Sequence, residues 1–140
     1  MAKVDMSVDL NATAEQVWNV IRGFNAMPSW HPAIARSEET REGGKTRRKL
    51  SLHGGGEIVE ELEQLNDGTR SFSYTILSSP LPLAGYRSEL SVRDQKPGKC
   101  TVRWSSTFEP NAGAEGDATA IVRGVYQAGF ENLKKMFGGG

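Results

Sequence analysis

The run TAIVRGVYQAGFENLKKMF, residues 119–137, decides how the rest of the chain is read. Its apolar residues Ile121, Val122, Val125, Tyr126, Phe130, Leu133 and Phe137 recur at steps of three and four, with Gly129 on the same stripe, and that spacing predicts an amphipathic helix. A lone helix has nothing to bury its stripe against. Residues 33–109 supply the cover. They are strand-like nearly throughout and are broken at 42–45, 53–56, 66–69, 78–85 and 94–98 by Gly, Pro, Asn or Asp, as hairpins of a meander require. A curved antiparallel sheet laid around the helix follows, and function should depend on the space left between them.

Upstream, Val4, Met6, Val8 and Leu10 alternate with Lys3, Asp5, Ser7 and Asp9, the pattern of a half-buried strand. Asn11, or Thr13 with Gln16 three residues on, caps a helix that carries Val17, Trp18 and Ile21 inward and stops at Gly23. Residues 24–32, FNAMPSWHP, hold two prolines, which predicts a short second helix or turn presenting Trp30 and His31. The expected architecture is α+β: one domain over residues 1–137, two short helices after the first strand, and residues 138–140 as a frayed glycine tail.

Seventeen basic and seventeen acidic residues cancel, so no net field draws the chain to nucleic acid or an anionic membrane. Cys100 alone excludes an internal disulfide, and neither a secretory leader nor a run of about 20 apolar residues stands in the sequence. A soluble cytoplasmic protein with a small, largely uncharged partner is expected. His31, His53 and Cys100 are too dispersed for a zinc site, no Ser-His-Asp order is suggested, and Gly54, Gly55 and Gly56 read as a hairpin turn rather than a phosphate loop. Neither metal nor cofactor is expected.

Strand parity says which side chains enter the space under the helix. Cys100, Val102, Trp104, Ser106 and Phe108 form the inward set of the last strand, Phe72, Tyr74 and Ile76 that of an earlier one, and Tyr86, Ser88, Leu90 and Val92 that of the strand between. Two charges fall on the same inner face. Ile58 and Leu62 take Glu60 inward with them, and Leu50 and Leu52 take Arg48. A buried carboxylate without a partner would cost several kcal/mol or take up a proton, so Glu60 facing Arg48 across adjacent strands is the economical arrangement. The competing readings are a purely structural pair, or two charges reaching water at the sheet edge; Arg47 takes the place of Arg48 if a bulge shifts the register. His31 is either a general base at the cavity mouth or a packing residue. Tyr126 and Phe130, on the inner helix face, are cavity lining or core.

The phrases VWNVIRGFNAMPSWHPAI, GEIVEEL, PLPLAGYRSELSV, TVRWSSTFEP and VRGVYQAGFENLKKMF, in this order, resemble the START-like SRPBCC superfamily and, within it, the polyketide cyclase/dehydrase type 2 branch, a likeness that runs from about Val4 to Phe137. The resemblance implies a helix-grip fold, a sheet of about seven antiparallel strands wrapped on a long C-terminal helix, with a cavity for hydrophobic ligands. The segment Gly85-Tyr86-Arg87-Ser88 is also distantly similar to the abscisic acid receptors. That likeness implies that Tyr86 and Ser88 face a ligand and that the preceding loop, with Leu81, guards the mouth, although the receptors' His-Arg-Leu latch is missing. Similarity to the lachrymatory-factor synthase implies pocket roles for Tyr74 and Tyr86, proton transfer by Glu60, and an oxyanion-orienting role for Arg48 or Arg47.

Three functions compete on this reading. One is carriage or sequestration of a small hydrophobic molecule of polyketide, lipid or hormone character, contacted by Trp30, His31, Tyr74, Leu81, Tyr86, Ser88, Trp104, Tyr126 and Phe130. Another is a cofactor-independent cyclase, dehydratase or isomerase using Glu60 and Arg48. The third is a regulatory role in which the loop over residues 78–85 closes on ligand and meets a protein partner.

Overall fold

Strand β1 (Ala2–Leu10) buries Val4, Val8 and Leu10, as its alternation demands, in a computed structural model that describes residues 1–139. Thr13 is the helix cap. Its hydroxyl accepts the Gln16 amide N–H at 3.2 Å and its own amide donates to the Gln16 side chain at 3.0 Å, a reciprocal capping box that starts α1 (Ala14–Ile21). The next segment forms a single 3-10 helix, Phe24–Ser29, with Trp30 and His31 buried just beyond it.

Six further strands follow: β2 (Ile34–Glu42), β3 (Lys45–Leu52), β4 (Glu57–Asn66), β5 (Ser71–Ser78), β6 (Leu83–Asp94) and β7 (Cys100–Pro110). Every pairing is antiparallel and the sheet order is β1-β7-β6-β5-β4-β3-β2, so β1 returns to the last strand while the others form consecutive hairpins. The long helix α2 (Glu115–Phe137) carries Ala118, Val122, Tyr126, Gly129, Phe130 and Leu133 as its buried stripe. This is the helix-grip arrangement. Among the described residues no helix is long and apolar enough to cross a membrane.

Three boundaries differ from the sequence reading. Helix α2 starts at Glu115 rather than Thr119, because Glu115 and Asp117 suit the positive end of the helix dipole although neither is apolar. The break over 78–85 shrinks to residues 79–82: Leu83 and Ala84 pair with Pro110 and Glu109, and Gly85, at φ +63°, sits in a bulge inside β6 instead of ending it. Gly138 and Gly139 do not fray. The Asn11 amide donates to the Gly138 carbonyl at 2.9 Å, its side chain donates to the Gly139 carbonyl at 3.0 Å, and Gly139 bridges Leu10; Gly140 lies outside the described residues.

Gly129 sets how closely α2 approaches the sheet. A Cβ there would lie 2.9 Å from His31 Cδ2, 3.0 Å from Trp30 Cζ3 and 3.2 Å from Trp104 Cζ3, so the missing side chain is what lets three buried rings meet the helix.

Candidate functional site

Between the concave face of the sheet and α2 lies a cavity of about 370 Å³, a size that falls among small-molecule sites. Leu50, Ile58 and Val122 form apolar walls, Tyr74, Tyr86, Trp104 and Tyr126 an aromatic side, and Glu60 and His31 add polar atoms. The exposed members of the lining, Ala33, His53, Gly54, Gly55 and Ile121, mark its mouth, and Leu81 is half-buried.

Glu60 stands directly opposite Arg48 across β3 and β4. Their side chains are 6% and 2% exposed. Arg48 Nε and Nη2 both reach Glu60 Oε1, at 2.7 and 2.6 Å, while Nη1 donates to the Phe24 carbonyl at 2.5 Å. The guanidinium carbon lies 4.0 Å from the centroid of the Phe24 ring and 5.2 Å from that of Tyr74. The register irregularities of β4 fall on its β5 side, so the β3 register holds and Arg47 faces outward to Glu61 at 2.8 Å. Burial pushes the Glu60 carboxyl above the usual glutamate range, against the pull of Arg48. Glu60 lines the cavity and Arg48 does not, so the guanidinium stands behind Glu60 and not on the cavity wall, where an oxyanion-orienting arginine would be needed.

The hydroxyls on the aromatic side form a chain whose direction is set by its far end. Ser88 Oγ donates to the Ser105 carbonyl at 2.9 Å, which can only accept. Tyr126 must then donate to Ser88 at 3.1 Å, and with that proton used, Tyr86 donates to Tyr126. Trp104 Nε1 donates to both Tyr74 and Ser88, each at 3.1 Å. Burial, first among the causes, raises all three tyrosines above the ordinary phenol value, so they remain proton donors. The indole itself stacks on Tyr126 with centroids 4.2 Å apart.

His31 is engaged at both nitrogens. Nδ1 accepts the Ala33 amide N–H at 3.2 Å, so Nε2 carries the proton and donates to the Val125 carbonyl at 2.8 Å. Burial is the main cause that depresses its pKa, helped by Arg48 and opposed by the Val125 hydrogen bond. A depressed folded-state pKa means that stability is full above the ordinary histidine value of 6.5 and falls as pH drops through and below it, while the unfolded chain takes up a proton. Urea unfolding of parent and His31→Gln across this range is expected to show a steeper acid-side loss in the parent; equal slopes would place the proton elsewhere.

The model of the family described as polyketide cyclase/dehydrase and lipid transport matches residues 1–138. The chain belongs to this family. Among solved structures similar to this polyketide cyclase/dehydrase family member, the protein XoxI of Bacillus cereus is 36% identical, with 98% of this chain and 96% of that chain covered and a TM-score of 0.92. The Zhui aromatase/cyclase of Streptomyces sp. R1128 is 17% identical, covers 96% of this chain and 92% of its own, and has a TM-score of 0.77. Truncated norcoclaurine synthase of Thalictrum flavum is 16% identical over the same shares, at 0.76. At these lower identities the likeness is one of fold. No protein of curated function matches the chain.

Within this polyketide cyclase/dehydrase member, His31, Tyr74, Leu81, Tyr86, Trp104 and Tyr126 reach the cavity together with Glu60, whereas Trp30, Ser88 and Phe130 do not. Trp30 is spent on packing against Gly129 and Trp104, the latter at 5.5 Å between centroids, and Phe130 packs 6.2 Å from Trp104. Ser88 is covered by the hydroxyl and indole it binds. Met27, His53 and Ile121 join the lining although the sequence reading did not place them there. Ile121 was visible on the helix stripe; the place of His53 comes from the turn, where Gly55 and Gly56 adopt φ of +94° and +99°.

Proposed function

We propose that the protein binds, in the cytoplasm, a small hydrophobic ligand of polyketide, lipid or hormone character in the cavity between sheet and α2. The observation that carries this reading is the chamber of about 370 Å³ with apolar walls and few polar groups. Such walls favour an apolar guest by about 25 cal/mol for each square ångström buried, and the polar groups set its orientation. Family membership supports ligand binding at the same coarse level. Titration with N-phenyl-1-naphthylamine, a neutral fluorophore that brightens in apolar surroundings, is expected to saturate at one probe per chain. Val122→Trp, which pushes an indole into the cavity from α2, is expected to weaken the probe about tenfold or more, a loss of about 1.4 kcal/mol, with the urea midpoint near that of the parent. Absence of saturable brightening in the parent, or equal affinity in the filled variant, rejects the reading.

A second reading, cofactor-independent cyclase, dehydratase or isomerase chemistry, is favoured by the position of Glu60 on the cavity wall with its carboxyl pushed upward by burial. Glu60 would move a proton, Arg48 would hold the carboxylate from behind, and a tyrosine hydroxyl would face the developing oxyanion. On this reading Glu60→Gln removes turnover while sparing probe affinity.

A further inference from the structure

We propose that the cavity space facing both the Tyr74 and Tyr86 hydroxyls is the seat of a ligand hydroxyl, so that the guest of this cavity is an apolar molecule bearing an alcohol or phenol. The inference rests on the hydrophobic-ligand reading and adds the polar group by which the guest is held.

Both side chains line the cavity, on the paired strands β5 and β6. Their oxygens lie 3.5 Å apart, well beyond the separation of about 2.7–2.8 Å at which hydroxyls bond well. Every other link of the chain is closed. The Tyr86 proton goes to Tyr126, the Tyr126 proton to Ser88 and the Ser88 proton to the Ser105 carbonyl. Tyr86 therefore offers the cavity a lone pair and no proton. Tyr74 is the reverse: its oxygen receives Trp104 Nε1, and its own proton has only the distant Tyr86 to turn to. One unused donor thus stands beside one unused acceptor.

A hydroxyl oxygen placed about 2.8 Å from both accepts from Tyr74 and donates to Tyr86. It extends the sequence of donors without a break from Tyr74 through the guest to the Ser105 carbonyl. A ketone or ether satisfies Tyr74 alone and leaves the Tyr86 lone pair unmet. An ammonium group offers no lone pair to Tyr74 and would enter a chamber whose carboxylate is already paired with Arg48.

The test uses two probes that share one ring system and differ in carrying O–H or O–CH3, 2-naphthol and 2-methoxynaphthalene, titrated against the parent, Tyr74→Phe and Tyr86→Phe. The parent is expected to prefer the naphthol by about tenfold, the effect of one satisfied buried hydrogen bond. Tyr86→Phe should abolish that preference by weakening the naphthol more than the ether, with a parent-like near-UV circular dichroism spectrum as the control for folding. Tyr74→Phe should weaken both probes, because the ether oxygen also accepts from Tyr74. A parent that binds the two probes equally, or a Tyr86→Phe protein that keeps the preference, overturns the hydroxyl seat and leaves the cavity reading standing. A parent that binds neither probe overturns both.

Discussion

Arg48→Met is expected to lower the unfolding free energy by about 3–5 kcal/mol, the usual result of removing one partner from a buried ion pair. The guanidinium is 2% exposed and makes two contacts to Glu60 Oε1 and one to the Phe24 carbonyl, so its loss leaves both oxygen groups buried without their donor. Glu60 then has only burial acting strongly on it, and its carboxyl, already raised, rises further. The sign of the pH dependence follows. A carboxyl whose folded-state pKa lies above its unfolded value contributes stability below the ordinary glutamate range and loses it as pH rises through the folded-state pKa. The deficit of Arg48→Met should accordingly be larger at pH 8 than at pH 5. Adding Glu60→Leu removes the stranded acid and is expected to recover most of the loss, since a buried pair contributes little net stability against an apolar pair of similar volume. Urea unfolding of the parent, single and double variants at both pH values measures all of this. A single variant within about 1 kcal/mol of the parent would mean that water reaches Glu60 after all.

The legibility of this pair in the sequence has a simple cause. Side chains alternate along a strand, so Ile58 and Leu50 commit Glu60 and Arg48 to the inner face. Parity also put Tyr74, Tyr86 and Trp104 inside. It gives the face of the sheet and not the depth beneath the helix. Ser88 and Trp104 share the inward sense, yet the indole covers the serine, and only Trp104 meets the cavity. Trp30 and Phe130 were beyond reach for a related reason: whether a ring near a helix fills core or lines a chamber depends on how close the helix comes, and here Gly129 draws it against Trp30 and Trp104. The rim was hidden as well. His53 sits in a turn whose glycines take left-handed backbone angles, where no alternation operates. Gly85 misled in the opposite sense, since a glycine that reads as the end of a loop serves in β6 as a bulge.

Trp104→Ala is expected to lower the unfolding free energy by about 3–5 kcal/mol and to weaken N-phenyl-1-naphthylamine as well. The indole is 1% exposed and joins the core to the cavity wall: it stacks on Tyr126 at 4.2 Å, faces Trp30 at 5.5 Å and His31 at 6.1 Å, and sends its N–H to Tyr74 and Ser88. Alanine removes all of these contacts at once, and Trp30 and His31, held against Gly129, have little freedom to collapse into the space. Trp104→Phe separates the two components. It keeps much of the ring packing but withdraws the shared donor, so it should lower stability by about 1–2 kcal/mol. Tyr74 then loses the bond that fixes its oxygen, and 2-naphthol and its methyl ether should both bind more weakly, because the oxygen of each accepts from Tyr74. Equal stability of the alanine variant and the parent would show that the indole is no wall between core and cavity. A phenylalanine variant as unstable as alanine would assign the larger share to the N–H, because the two substitutions differ in ring packing and agree in losing that donor.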